Sequence, residues 1–194
     1  MKDDVCWIEV IGEDEAAGVL KDAYDDLMEK DGYVENLYRA FSRYPHAIKS
    51  ADQAYRDVLH VPDAPLPMWL SEMIGVQVAV IAGCAYALAN HGDNMVRLHD
   101  DQQLAGRMRA ALEMRYWDHE VFSPQLRVLL EFGEKLSLQP DQMEKGDIED
   151  LRAAGFDDEQ ISQIVQVAAN FAYWVRVING FGIQLGAEKI GKYS

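Results

Sequence analysis

Residues 68–91 read Met-Trp-Leu-Ser-Glu-Met-Ile-Gly-Val-Gln-Val-Ala-Val-Ile-Ala-Gly-Cys-Ala-Tyr-Ala-Leu-Ala-Asn-His, and among these 24 residues Glu72 is the only charged side chain. The run is too long for a strand and shows no sustained alternation of polar and apolar residues. It is also a poor membrane span: the uncharged piece 73–89 has 17 residues, carries Gln77 and is rich in Gly and Ala, whereas a span needs about 20 strongly apolar residues. The expectation is a core helix buried on most sides. A second stretch, 160–187, has 28 residues and again one charge, Arg176. It predicts a second core helix over 160–180.

Outward from these two segments the apolar period stays near 3.6. Ala16, Val19, Leu20, Ala23, Leu27 and Met28 outline a first helix. Leu37, Phe41, Ile48, Ala51, Tyr55, Val58 and Leu59 continue the pattern around Pro45. Pro62, Pro65 and Pro67 make a rigid connector into residue 68. Val96, Leu104, Met108 and Leu112 predict one amphipathic helix. Ser123-Pro124 opens another, as N-cap and first residue, that runs to about Leu138. A helix over 147–154 ends at Gly155, and Asp157 or Asp158 caps the last one, expected to continue toward Ile190. No run is suited to a sheet, so the fold class is all-α. Val76-Gln77-Val78-Ala79 recurs as Val165-Gln166-Val167-Ala168, which raises the expectation of a duplicated helical unit, about 45–115 and 124–190, within a single domain of 194 residues.

The chain has 194 residues, 49% of them hydrophobic, and a formal net charge of −15. That suffices for one sizeable core and argues against disorder. The negative charge disfavours nucleic acid and anionic membrane surfaces as partners. Residues 1–35 hold twelve acids against three lysines; this is read as a solvated face, since no EF-hand spacing occurs. Two cysteines do not make a disulfide framework, and Met1-Lys2-Asp3-Asp4 has no apolar signal core behind it. A cytoplasmic location is expected. The five histidines show no metal-ligand spacing and no phosphate-binding glycine run appears, so neither metal nor nucleotide cofactor is expected.

Three residues in 68–91 can carry chemistry. Glu72 is either a proton carrier tuned by burial or a first-turn residue facing the helix dipole. Cys84 is either a thiol activated at a helix start or a small buried hydrophobe. His91 is either a functional imidazole or a helix-terminal residue before Gly92. On one straight helix, Glu72 and Cys84 would stand about 18 Å and about 120° apart. A break at Gly83 lets the second piece fold back, and Cys84, Glu72 and His91 are then expected to converge on one pocket. With His91 protonated nearby, the Cys84 pKa should fall.

The constellation Glu72, Gly83-Cys84-Ala85-Tyr86-Ala87, His91-Gly92 resembles the alkylhydroperoxidase D-like superfamily, also called the carboxymuconolactone decarboxylase family, in its peroxidase-related branch. The branch pattern is a glutamate in an apolar helix followed by Gly-Cys-x-Tyr-Cys-x-x-x-His-Gly. Asn36-Leu37-Tyr38-Arg39-Ala40-Phe41-Ser42-Arg43-Tyr44-Pro45, Leu151 to Phe156 and Phe171 to Gly182 extend the likeness over nearly the whole chain. The resemblance implies a multihelical bundle, a homo-oligomer, and catalytic roles for Glu72, Cys84 and His91. It departs at the second cysteine, which is Ala87 here. Alanine cannot close a disulfide, so a dithiol peroxidase cycle cannot run in this site. Cys6, the other thiol, is expected in a flexible amino-terminal stretch.

Three functions follow. In the first, Cys84 reduces a small hydroperoxide and an external thiol resolves the sulfenic acid. In the second, Glu72 and His91 run acid–base chemistry on a small organic acid, as a lyase or isomerase. In the third, the chain is a non-catalytic helical oligomer that binds a small ligand. Two further expectations concern bulk. Arg176 should be buried against a carboxylate, with Glu72 a candidate. Some of Met68, Trp69, Trp117 and Trp174 should sit at a self-association interface.

Overall fold

In the computed structural model, residues 5–186 and 190–191 are described, and among them there are nine α-helices and no strand. The order is α1 (Gly18–Asp31), α2 (Asn36–Arg39), α3 (Ile48–Leu59), α4 (Met68–Ala82), α5 (Ala85–Leu98), α6 (Gln102–Glu113), α7 (Pro124–Leu138), α8 (Lys145–Ala153) and α9 (Asp158–Phe181). Met1-Lys2-Asp3-Asp4 lies outside the described residues. No helix among the described residues is long and apolar enough to cross a membrane.

α4 is the centre, with α5, α6, α7 and α9 packed around it. Being apolar on every face, it buries all of Leu70 to Val80, with Met73, Val76 and Ala79 fully enclosed. Gly75 brings α9 close: a Cβ there would overlap the Phe171 ring. Gln77 is the one polar side chain of the central turns, and its amide donates to the Leu130 carbonyl of α7 at 2.6 Å. The recurring tetrapeptides lie in α4 and α9, which pack on each other.

The caps follow local chemistry. Ser123 accepts from the Leu126 amide ahead of Pro124. Asp157 and Gln160 form a reciprocal capping box at the start of α9. Glu144 and Asp147 do the same for α8, which therefore starts two residues before the expected 147. Two helices differ from expectation. The run through Val96 and Leu112 is two helices, because α5 ends at Leu98 and Asp101 caps a new start by accepting from Leu104 N at 2.9 Å. The last helix stops at Phe181 rather than reaching toward Ile190, because Gly182 takes the left-handed conformation, φ +62°.

Two expectations about side chains, for Arg176 and Cys6, are corrected, and a third is narrowed. Arg176 is exposed and donates to the Ala172 carbonyl of its own helix at 2.6 Å, with no carboxylate partner among the described residues. It shares the outer face of α9 with Ser162, Gln166, Ala169, Tyr173 and Gly180, all exposed at three- and four-residue spacing. Trp117 and Trp174 are buried within the chain, and Met68 and Trp69 half-buried, so the two buried tryptophans supply no interface. Cys6 is buried rather than loose, its segment tied down by Trp7 N donating to Phe181 O.

Candidate functional site

Gly83 decides the site. At φ +63° it ends α4, and Cys84 N closes the turn by donating to Ala79 O. Only a residue without a Cβ takes this conformation at no cost. The chain reverses and α5 runs back along α4. Glu72 lies eleven residues before the glycine and His91 eight after it, so the two come level.

His91 Nδ1 lies 2.6 Å from Glu72 Oε2. Asn94, one turn further along α5, donates its amide to Glu72 Oε1 at 3.1 Å. Glu72 is wholly buried, while the His91 side chain keeps 15% exposure. The carboxylate thus has both oxygens occupied and no solvent contact, and the imidazole carries its influence outward. With Nδ1–H given to the carboxylate, Nε2 becomes the ring's acceptor. The Phe171 ring stands edge-on to the imidazole at 4.5 Å and fixes its plane.

His91 opens onto a cavity of about 50 Å³. One face of α5 supplies Ala87, Asn90, His91 and Asn94; one face of α9 supplies Phe171, Trp174 and Ile178; Tyr38 and Tyr55 close it from α2 and α3. The walls are mainly aromatic, with a few polar groups converging, as ligand sites commonly are. Gly191 also lines the cavity and its amide donates to Asn90 Oδ1 at 3.0 Å.

Of the three residues picked out in the sequence, Glu72 and His91 are brought into contact. Cys84 is the N-cap of α5, 1% exposed, and is not among the residues that line the cavity. Burial pushes its thiol up; the Tyr86 and Ala87 amides oppose that without closing a cap hydrogen bond. The expected fall in its pKa is therefore reversed, because desolvation outweighs the helix start. Ala87, where the resemblance places a second cysteine, does line the cavity, one turn before His91.

Asn94, Tyr38, Tyr55 and Trp174 were not anticipated. Asn94 was findable, since it follows His91 at a three-residue spacing on one helix face. The others arrive from distant helices and left no local signal. Among the described residues no group of three or more His, Cys, Asp or Glu side chains could hold a metal.

No family model matches the chain, and no curated protein matches it either. Solved structures do. An uncharacterised peroxidase-related protein from Silicibacter sp. TM1040 is 26% identical, covering 99% of this chain and 97% of its own, with a TM-score of 0.79. The alkylhydroperoxidase AhpD core of an uncharacterised peroxidase-related protein from Ralstonia eutropha JMP134 is 20% identical over 94% and 93%, TM-score 0.78. The debrominase Bmp8 is 15% identical over 96% and 94%, TM-score 0.70, and its C82A variant has been crystallised with 2,3,4-tribromopyrrole. The fold is therefore that of the alkylhydroperoxidase D-like proteins. Within that class the chain is similar to peroxidase-related proteins, alongside a debrominase of the same fold.

Proposed function

We propose that this is an acid–base site, in which His91, oriented by Glu72, moves a proton on a small organic ligand held in the aromatic cavity. The observation that carries the reading is the division of labour along α5: His91 and Ala87 line the cavity while Cys84 does not. A base that faces Ala87 has no thiol at that position to activate, so its proton partner is the ligand itself. A buried carboxylate behind an imidazole fixes its tautomer and supports the imidazolium formed on protonation.

A single-thiol oxidoreductase is the second reading, favoured by the peroxidase-related relatives. Cys84 would reduce a hydroperoxide and an external thiol would resolve the sulfenic acid. One set of variants separates the two. Proton transfer on small oxo acids, ketones and lactones is followed by NMR in D2O, and peroxide consumption is followed with dithiothreitol. Cys84→Ala is expected to keep proton transfer, and His91→Gln and Glu72→Gln to lose it by about a hundredfold or more. Brisk peroxide turnover that vanishes in Cys84→Ala would replace the first reading with the second. Self-association into a homo-oligomer is part of either proposal, and light scattering tests it.

A further inference from the structure

Gly191 contributes backbone, not a side chain, to the wall of the His91 cavity. It is buried, and its amide donates to Asn90 Oδ1 at 3.0 Å. Its seat accepts only glycine. The residue has φ +77°, and a Cβ there would stand 2.7 Å from Asp93 Oδ2 and 2.8 Å from Asn94 Oδ1. Neither neighbour gives way freely. Arg97 Nε holds Asp93 Oδ2 at 2.6 Å, and Asn94 is buried with its amide on Glu72. The chain at 191 thus rests directly on the residue that bonds the carboxylate behind His91.

The place it covers is the approach of the cavity to solvent. The lining residues that keep some exposure are Tyr33, Glu35 and Leu37 around the start of α2, and Asn90 and His91 on α5. Phe171, Trp174 and Ile178 on α9 are buried. Being bonded to Asn90, Gly191 lies on the exposed side. Its neighbour Ile190 is exposed and puts no apolar side chain into that wall. Segments with few buried apolar contacts open far more readily than packed helices. The competing way in is the partition made by Tyr86 and Ile178, which also line a surface depression beside Trp7. Both of those residues are buried on packed helices, so opening there disturbs the core.

We infer that residues 190–191 are a strap over the mouth of the cavity, and that breaking the Gly191–Asn90 hydrogen bond is the step that admits a ligand to His91. This goes beyond the acid–base reading, since it concerns access to the imidazole and not what the imidazole does. Closed, the strap shields His91 from bulk water and backs Asn94. Open, it exposes His91 Nε2, the ring nitrogen that Glu72 leaves free.

Diethyl pyrocarbonate, which acylates an accessible imidazole nitrogen, reads this access in the full chain, with the modified peptides quantified by mass spectrometry. His46, exposed on the surface, is the internal reference. In the parent, His91 should react about tenfold more slowly than His46. Asn90→Ala removes the acceptor and should raise the His91 rate about fivefold. Gly191→Ala cannot keep the seat and should raise it about tenfold. A rise at His60 as well as His91 in Gly191→Ala marks a general loosening, and Asn90→Ala then decides. A His91 rate unchanged in Asn90→Ala overturns the inference, as does a parent His91 that reacts as fast as His46. A rate that rises in Ile178→Ala and in neither strap variant also overturns it, and puts the entry at Tyr86. Because the readout is reagent access rather than turnover, any of these results leaves the acid–base reading standing, and failure to find proton transfer leaves the strap standing.

Discussion

Among the described residues two carboxylates have no solvent exposure, Glu72 and Asp52, and their surroundings differ in kind. Asp52, on α3, is enclosed by compensation. Arg56 Nε donates to its two oxygens at 3.1 and 2.9 Å, Tyr38 OH donates at 2.7 Å, and Lys30 approaches to 3.4 Å. Among the described residues Glu72 receives no guanidinium or ammonium. Its partners are an imidazole and an amide, and the imidazole opens onto a cavity. A buried charge held by two cations is locked and can only support the fold. A buried charge held by a histidine retains a route for a proton. The contrast separates a structural polar cluster from a functional one more sharply than burial does, because burial is the same for both.

The largest effect that would break this contrast is on stability. Asp52→Ala strands the Tyr38 hydroxyl and one side of Arg56 in the interior. It should lower the unfolding free energy by about 3–5 kcal/mol, measured by denaturant titration. A loss under about 1 kcal/mol would mean that Arg56, which also pairs with Asp31, needs no second partner. The same cluster sets an acid dependence. Burial pushes the Asp52 carboxyl up, but hydrogen bonds from Arg56 and Tyr38 and the charges of Arg56 and Lys30 outweigh it, leaving it below its ordinary value of 3.8. The folded chain then binds fewer protons than the unfolded chain in that range. The stabilisation is complete above the ordinary value and is lost as pH falls through the lowered one. The stability gap between the parent and Asp52→Asn should therefore narrow below about pH 4.

A smaller effect sharpens the contrast from the other side. Glu72→Gln keeps the size of the side chain and an oxygen for His91 or Asn94, so it should cost only about 1 kcal/mol. If Glu72→Gln proved as damaging to stability as Asp52→Ala, Glu72 would belong with the structural clusters and the site would lose its base support.

The two central helices were legible because both are long, nearly uncharged and punctuated by proline or glycine. A helix end at Gly83 was legible as an option, because glycine takes the left-handed conformation freely; that the next helix folds back to bring His91 to Glu72 was an expectation that joined helix geometry to the family resemblance. The failures share a cause. Whether Cys84 faces a cavity or the core depends on which side of α5 meets α9, and no local pattern encodes that. The break at Asp101 was written in the sequence as a capping aspartate three residues before Leu104, but the apolar period ran straight across it. Tyr38, Tyr55 and Trp174 reach the cavity through contacts between α2, α3, α5 and α9, separated by up to about 140 positions. The side of α9 that faces water was open to reading, since Ser162, Gln166, Tyr173 and Arg176 fall on one stripe. A lone charge in an apolar run is buried only where the stripe it shares is covered, and Arg176 shares the uncovered one.

That last point carries the smallest expected effect, and it is a test of the comparison between α4 and α9. Glu72 and Arg176 are each the one charge of a long apolar segment. In α4 every face is covered, so the charge is enclosed and needs Asn94 and His91. In α9 one face is uncovered, and Arg176 lies on it, its one bond among the described residues going to the carbonyl of Ala172. Long cationic side chains on an exposed helix face contribute little beyond that. Arg176→Ala should leave the denaturation midpoint of the isolated chain unchanged, and alanine's higher helix propensity offsets the lost contact. The measurement gains value when repeated across protein concentrations. Val78, Ile81 and Leu138 lie beside Arg176 in a shallow depression. A variant that matches the parent at low concentration but loses stability at high concentration would show Arg176 working between chains. A large loss at every concentration would contradict the exposed placement itself.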